Sequence, residues 1–279
     1  MRRIAHSTVM LTLVATVLMT TGCATSASTD VEHPLGIIAL GNWTVTGKGS
    51  TTPETADAGM FAGSWVTGTN SAVGSIYQRM VERRPETDGH AANAGAGGAR
   101  ASTLEGQASQ GLAEVPFPEL VVIGAIGGDI RCDGSDSENV APFGDGIRSA
   151  IEAVVDASPK SRVVVTTLAG RPAQKEALLT PEQARRFAGK GRCDLYTPDG
   201  AWNPAGAAYL TGVIEAYEAE QARVCAEFRQ CSDDGGAGAA FAARSEYFSN
   251  DDVDHLNSIG QAAYADHMWP VLEAVLDGE

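Results

Sequence analysis

Three uninterrupted apolar runs set the strongest constraint on how this chain can fold: Leu35 to Leu40 (LGIIAL), Leu120 to Ala125 (LVVIGA) and Arg162 to Leu168 (RVVVTTL). A strand with one wet face alternates polar and apolar residues, so a short run without alternation reads as a strand buried on both faces. Each run follows a Pro-containing turn, and His90 to Ala94 is a fourth, weaker candidate. Helical periodicity fills the intervals at Ala72 to Arg83, Thr103 to Ala113 and Gly146 to Ala157, where Ile147, Ile151, Val154 and Val155 mark one face. Two further helices are expected, Pro204 to Phe228 and Ser258 to Leu276. Strands alternating with helices predict a three-layer α/β/α sandwich around a central parallel sheet. Residues 170–202 lack either period and read as an irregular insertion able to cover a site.

The N-terminus carries a different message. Arg2 and Arg3 precede an apolar run from Val9 to Met19, too short to span a bilayer, and then Thr20-Thr21-Gly22-Cys23. That order is the order of an export signal. Gly22 before Cys23 resembles the lipobox of bacterial lipoproteins, which implies that Cys23 is lipidated and becomes the new N-terminus. Thr20 stands where a lipobox usually has Leu, and cleavage within Ala24 to Ser28 is the alternative, giving a secreted protein. The expected organisation is a signal at 1–22, a tether at 23–33 and one domain at 34–279, placed outside the cytoplasm with the membrane touched only through the lipid.

Composition agrees. The full chain has 279 residues and a formal net charge of -15. Loss of the signal removes two Arg and no acid, leaving 18 basic against 35 acidic residues, a net -17. So acidic a chain is not expected to bind nucleic acid, which requires basic groups to displace phosphate counterions. Beyond Cys23, the remaining Cys132, Cys193, Cys225 and Cys231 are even in number, as disulfides in an oxidising compartment require. The expected pairs are Cys225–Cys231, close in sequence at a helix end, and Cys132–Cys193. A zinc site is disfavoured because no Cys-x-x-Cys spacing or nearby His accompanies them.

In an open parallel sheet, ligands bind beyond the carboxyl ends of the strands. The segments there are Gly41-Asn42-Trp43-Thr44-Val45-Thr46-Gly47, Asn93-Ala94-Gly95-Ala96-Gly97-Gly98-Ala99, and Ile126-Gly127-Gly128-Asp129-Ile130-Arg131-Cys132, with Asp251-Asp252-Val253-Asp254-His255-Leu256 before the last helix. In order and spacing these blocks resemble the SGNH (GDSL-type) hydrolases, in particular an exported actinobacterial branch. There the first block is similar to Gly-His-Ser-x-x-Thr-Gly, followed by a segment like Ser64 to Asn70. The third is similar to Asp-Asn-Asp-Ile-Arg-Cys-Asp-Gly, and the last to Asp-x-x-His. The resemblance implies a flavodoxin-like sheet, no cofactor and no metal, and the hydrolysis of carboxyl esters of acyl or acetyl type. A Ser attacks the acyl carbon, a His held by an Asp takes its proton, and backbone and Asn N–H groups hold the oxyanion.

Carried over residue by residue, the resemblance assigns Asp252 and His255 to the Asp-His pair and Gly98 to the oxyanion Gly. The nucleophile position is Trp43, however, and the oxyanion Asn position is Gly128. Indole has no nucleophilic oxygen, and losing one oxyanion donor alone typically costs ~10²–10³ in rate. Thr44 is the candidate substitute nucleophile, one residue out of register. Thr46, which aligns with a family Thr, reads as a turn hydroxyl. His255 with Asp252 as a weak base for water is a further route, set against Asp252 merely capping the last helix. The implied partner is a small acyl-ester or glycan ligand, and the alternative to a hydrolase is a non-catalytic binding protein of the cell envelope.

Other features have plain readings. Asp129, Asp133, Asp136 and Glu138 lack EF-hand spacing and read as a solvated loop rather than a calcium site. Trp65, Trp202 and Trp269 read as packing, not as sugar platforms. Gly124, Gly127 and Gly128 predict a flexible third turn.

Overall fold

The computed structural model describes residues 33–51, 59–186, 188–189, 191–249 and 254–278. Cys23, the segment before it, the tether up to residue 32, and Asp252 lie outside the described residues. Strands β1 (Ile37–Gly41), β2 (Ala91–Asn93), β3 (Leu120–Gly124), β4 (Arg162–Val165) and β5 (Cys231–Asp233) form one sheet in the order β2-β1-β3-β4-β5. Every pairing is parallel.

Side chains alternate between two cores, so the apolar runs have no polar face to spare. Ile38, Leu40, Val121, Ile123, Val163 and Val165 pack on one side of the sheet. They meet α2 (Leu104–Glu114), α3 (Asp136–Ala157) and α4 (Pro204–Cys225) through residues such as Leu104, Ile147, Ile151 and Tyr217. Ile37, Ala39, Leu120, Val122 and Val164 face the other side, against α1 (Ile76–Arg83) and α5 (Ser258–Asp277) through Ile76, Met80, Met268 and Leu272. Three of these helices, α1, α4 and α5, start at side-chain caps that satisfy otherwise unpaired N–H groups. Ser75 accepts from the Gln78 amide in a capping box, Asn203 from Gly206 ahead of Pro204, and Asn257 from Gly260.

The three-layer sandwich and the four expected strands are present, with β4 ending at Val165 rather than Leu168. α1 starts at Ile76 rather than Ala72 and α4 ends at Cys225 rather than Phe228, and two elements depart further from expectation. α3 begins at Asp136, ten residues before the periodicity does, and β5 carries no apolar run at all. β5 is an edge strand whose Ser232 and Asp233 are exposed, so burial leaves no mark on its sequence. Its place is fixed by pairing with β4 and by the Cys225–Cys231 disulfide. The second disulfide, Cys132–Cys193, ties the insertion to the turn after β3. The insertion packs a small core against α4, built from Ala184, Leu195 and Tyr196 with Ala207 of the helix. No helix among the described residues is long and apolar enough to cross a membrane.

Candidate functional site

The chain leaves β1 to form β2 on one side and returns to form β3 on the other, so the connections diverge beyond Gly41 and Gly124. Such a switch point opens a crevice at the carboxyl edge of a parallel sheet. A cleft of about 610 Å³ lies there, lined by Trp43, Thr44, Gly98, Gly128 and His255, together with Cys132, Cys193 and Leu195. The insertion supplies one wall, from Gly170 to Lys175, as its lack of periodicity led us to expect. Lys175 of that wall is ion-paired with Asp254, next to His255, and the Gln174 amide donates to Phe241 O at 3.2 Å. The remaining surface is largely apolar: Ile130, Leu168, Leu210, Ile214, Phe241, Phe248 and Leu256.

Trp43 opens a one-turn helix, Trp43–Thr46, whose cap is Asn42. The Asn42 side chain organises this corner. Its Oδ1 accepts from the Thr44 N–H at 3.0 Å and the Thr44 hydroxyl at 2.6 Å, while its amide donates to Ala125 O at 2.8 Å, bridging the first and third blocks. The strand end below is clamped by Gln107, which accepts from Gly41 N–H at 2.6 Å and donates to Gly41 O at 3.0 Å. Thr46 is fully buried and its hydroxyl donates back to Trp43 O at 3.3 Å, the turn role expected of it.

The Trp43 indole leans on the second block. A Cβ added to Gly97 would lie 1.8 Å from indole Cζ2, so the ring rests directly on that backbone. The same ring meets His255 edge-to-face, with centroids 5.8 Å apart, and Lys48 Nζ sits 5.1 Å from its centroid. Gly98 follows with φ of +68°, a conformation open to Gly and strained for other residues. The structure thus brings Trp43, Gly98 and His255 to one place. The Thr44 hydroxyl, by contrast, is committed to an amide oxygen.

Gly128 is not the loose position its neighbours suggested. It sits in a helical turn, Ile126–Asp129, with its N–H donating to Ala125 O at 3.2 Å. A Cβ there would lie 1.9 Å from Ala99 O, so no side chain fits without moving backbone. At Gly127 the same atom would lie 3.7 Å from Asn42 Nδ2 and 3.9 Å from Leu168 Cδ1, ordinary contacts. The acidic segment is corrected in part, since Asp133 and Glu138 are exposed as expected. Asp129 and Asp136 are buried, not solvated, and both accept backbone N–H groups: Asp129 from Ala101, Asp136 from Arg131 and Cys132. Burial pushes the Asp129 pKa up, although the Ala101 and Asn139 hydrogen bonds pull the other way. Among the described residues no group of acidic, His or Cys side chains is arranged to hold a metal.

Trp65 is core, edge-to-face with Tyr264, and its Nε1 donates to Thr44 O at 2.9 Å. Trp202 packs on Tyr196 inside the insertion, and Trp269 lies beneath Arg79 and Arg83. Nothing in the motif blocks signals the parts played by Gln107, Lys175, Phe241 and Tyr264, which come from helices and loops outside them. Asn42 carried a signal: an Asn directly after a strand is suited to cap a turn.

No family model and no curated protein matches the chain. Solved structures do match, at low identity and almost full length. A putative GDSL-like lipase from Parabacteroides merdae is 13% identical with a TM-score of 0.51, over 87% of this chain and 97% of that one. An extracellular lipase from Streptomyces rimosus is 15% identical with a TM-score of 0.50, over 86% and 99%. A family 3 carbohydrate esterase from Clostridium thermocellum is 12% identical with a TM-score of 0.50, over 88% and 98%. The fold is therefore that of the SGNH (GDSL-type) hydrolases.

Proposed function

We propose that this protein uses an SGNH-hydrolase fold to bind a partly apolar ligand outside the cytoplasm, and that it does not cleave esters by the serine mechanism of that fold. The observation that carries the reading is the Trp43 indole touching both Gly97 and His255, at the position that the resemblance gives to the nucleophile. A ring there takes the volume a substrate acyl group needs and offers no oxygen to attack with. Gly128 adds to this, since the missing oxyanion donor has no space in which to stand.

The substitute nucleophile fares poorly on chemical grounds. The Thr44 hydroxyl donates its hydrogen bond to the Asn42 amide oxygen, which is not a base at neutral pH, so this hydrogen bond does not activate it. The cleft itself is intact and mainly apolar, which favours an acyl chain over a glycan as its occupant. Two disulfides support an oxidising location, in line with the export signal and with Cys23 as a lipid anchor.

The test uses the protein from residue 24 onward. A short-chain chromogenic ester should show no turnover above that of a His255→Ala variant at high protein concentration. The neutral fluorophore N-phenyl-1-naphthylamine should bind saturably. Turnover that disappears with His255→Ala would establish a hydrolase instead.

A further inference from the structure

The cleft is lopsided across the sheet. In the order β2-β1-β3-β4-β5, the loop after β4 lines it from Leu168 to Pro172 and again at Gln174 and Lys175. Among the described residues, the loop after β2 contributes Gly98 alone. Neighbouring strands lie about 4.8 Å apart, so the tips of β1, β3 and β4 set out a crevice about 10 Å from side to side. It extends beyond the β4 tip and stops short on the β2 side.

The Trp43 indole stands at that end. It fills the side of Gly97 on which a side chain would project, where an added Cβ would lie 1.8 Å from Cζ2, 2.0 Å from Cη2 and 2.4 Å from Cε2. Gly97 does not line the cleft, whereas Gly98 does, and a Cβ built at Gly98 would have nothing within 4 Å. The wall continues from the indole to His255, whose ring it meets edge-to-face. His255 is backed in turn by Gly49, where an added Cβ would lie 3.1 Å from His255 Cβ. A Trp side chain has only two torsions, and contacts with Gly97 and His255 hold this one, so the boundary it makes is fixed rather than yielding.

We propose that Trp43 is the specificity-determining residue of the cleft: its indole is an end stop that sets the longest unbranched alkyl or acyl chain the protein holds. This deepens the binding reading above and rests on it. The chain lies across the strand tips, against apolar lining residues such as Ile130, Leu168 and Phe241, and ends at the ring.

The experiment is displacement of N-phenyl-1-naphthylamine by straight-chain alkan-1-ols, from hexan-1-ol to tetradecan-1-ol, in the wild type, Trp43→Ala and Trp43→Phe. Wild-type affinity should rise about fourfold per added carbon and level off where the chain meets the ring. In Trp43→Ala the levelling should come at a longer chain. An alkanol about two carbons past the wild-type plateau should then bind this variant roughly tenfold more tightly than the wild type, while hexan-1-ol gains nothing. Trp43→Phe, with its smaller ring, should fall between the two. Thermal denaturation shows whether each variant is folded at the assay temperature, and if Trp43→Ala is not, Trp43→Phe decides. No plateau in the wild type, a plateau at the same carbon in all folded proteins, or a gain uniform over every chain length would each overturn the proposal and leave the binding reading standing. A wild type that binds neither fluorophore nor alkanol would sink the binding reading itself, and this inference with it.

Discussion

The imidazole of His255 meets the indole of Trp43 edge-to-face, with centroids 5.8 Å apart and ring planes at 78°. The resemblance would make His255 a general base, which needs the substrate's or nucleophile's proton within hydrogen-bond reach, and the ring it meets at that position is an indole. Lys48 above the same ring and Gly97 beneath it hold the indole in that position. On the proposed reading, the pair makes this corner of the cleft part of a binding wall.

Restoring the missing groups will depend on which glycine is replaced. Trp43→Ser with Gly128→Asn should lose ~2–3 kcal/mol or more of stability, because the new Cβ meets Ala99 O at 1.9 Å. Trp43→Ser with Gly127→Asn should stay folded with far less loss. Thermal denaturation of the two double variants separates them, and equal stabilities would contradict the packing described at Gly128.

Gln107 is expected to matter for stability despite its place away from the cleft. Gly41 O has a second donor in Ala96 N–H, at 3.0 Å, whereas Gly41 N–H relies on the Gln107 side chain. Gln107→Leu should cost ~1–3 kcal/mol by stranding that amide in the core. Urea unfolding is the measurement, and a change below about 0.5 kcal/mol would speak against the clamp.

The two disulfides should differ in worth. Cys132–Cys193 spans 61 residues and Cys225–Cys231 spans 6. Chain entropy assigns the long loop about 4 kcal/mol and the short one about 2. Paired Cys→Ser variants, compared by chemical unfolding, should follow that order. The long-loop variant should also weaken N-phenyl-1-naphthylamine binding, because Cys132 and Cys193 line the cleft.

Acid titration should single out Asp129. Burial raises its pKa above that of a free Asp, so the folded protein binds this proton more tightly than the unfolded chain does. Its contribution is therefore favourable below the ordinary value of 3.8 and is lost as pH rises through the higher folded-state value. Asp129→Asn removes that dependence. The stability of the variant relative to wild type should be greater at pH 7 than at pH 4, and a difference that does not change with pH would rule out a raised Asp129.

Much of the frame was legible because burial on both faces forces unbroken apolar runs, as in Leu120 to Gly124, where each residue is fully or almost fully buried. The first turns of α3 were not, since Asp136 and Asn139 are buried by hydrogen bonds from Arg131, Cys132 and Tyr209 rather than by apolar contact. β5 was hidden because an exposed edge strand needs only backbone pairing. Both cysteine pairs followed from position and parity, and their geometry agrees.

The sequence by itself determined the layered parallel sheet and the place of the cleft at the carboxyl ends of its strands. These depend on local pattern and on order along the chain. Only the tertiary structure decided that Gly128 has no room for a side chain, that the Trp43 ring lies against His255, and that the Tyr264 ring is buried against Trp65 and Phe241. Those facts arise from contacts between residues remote in sequence, such as Gly128 with Ala99 and Tyr264 with Phe241, and packing of that kind leaves no period to read.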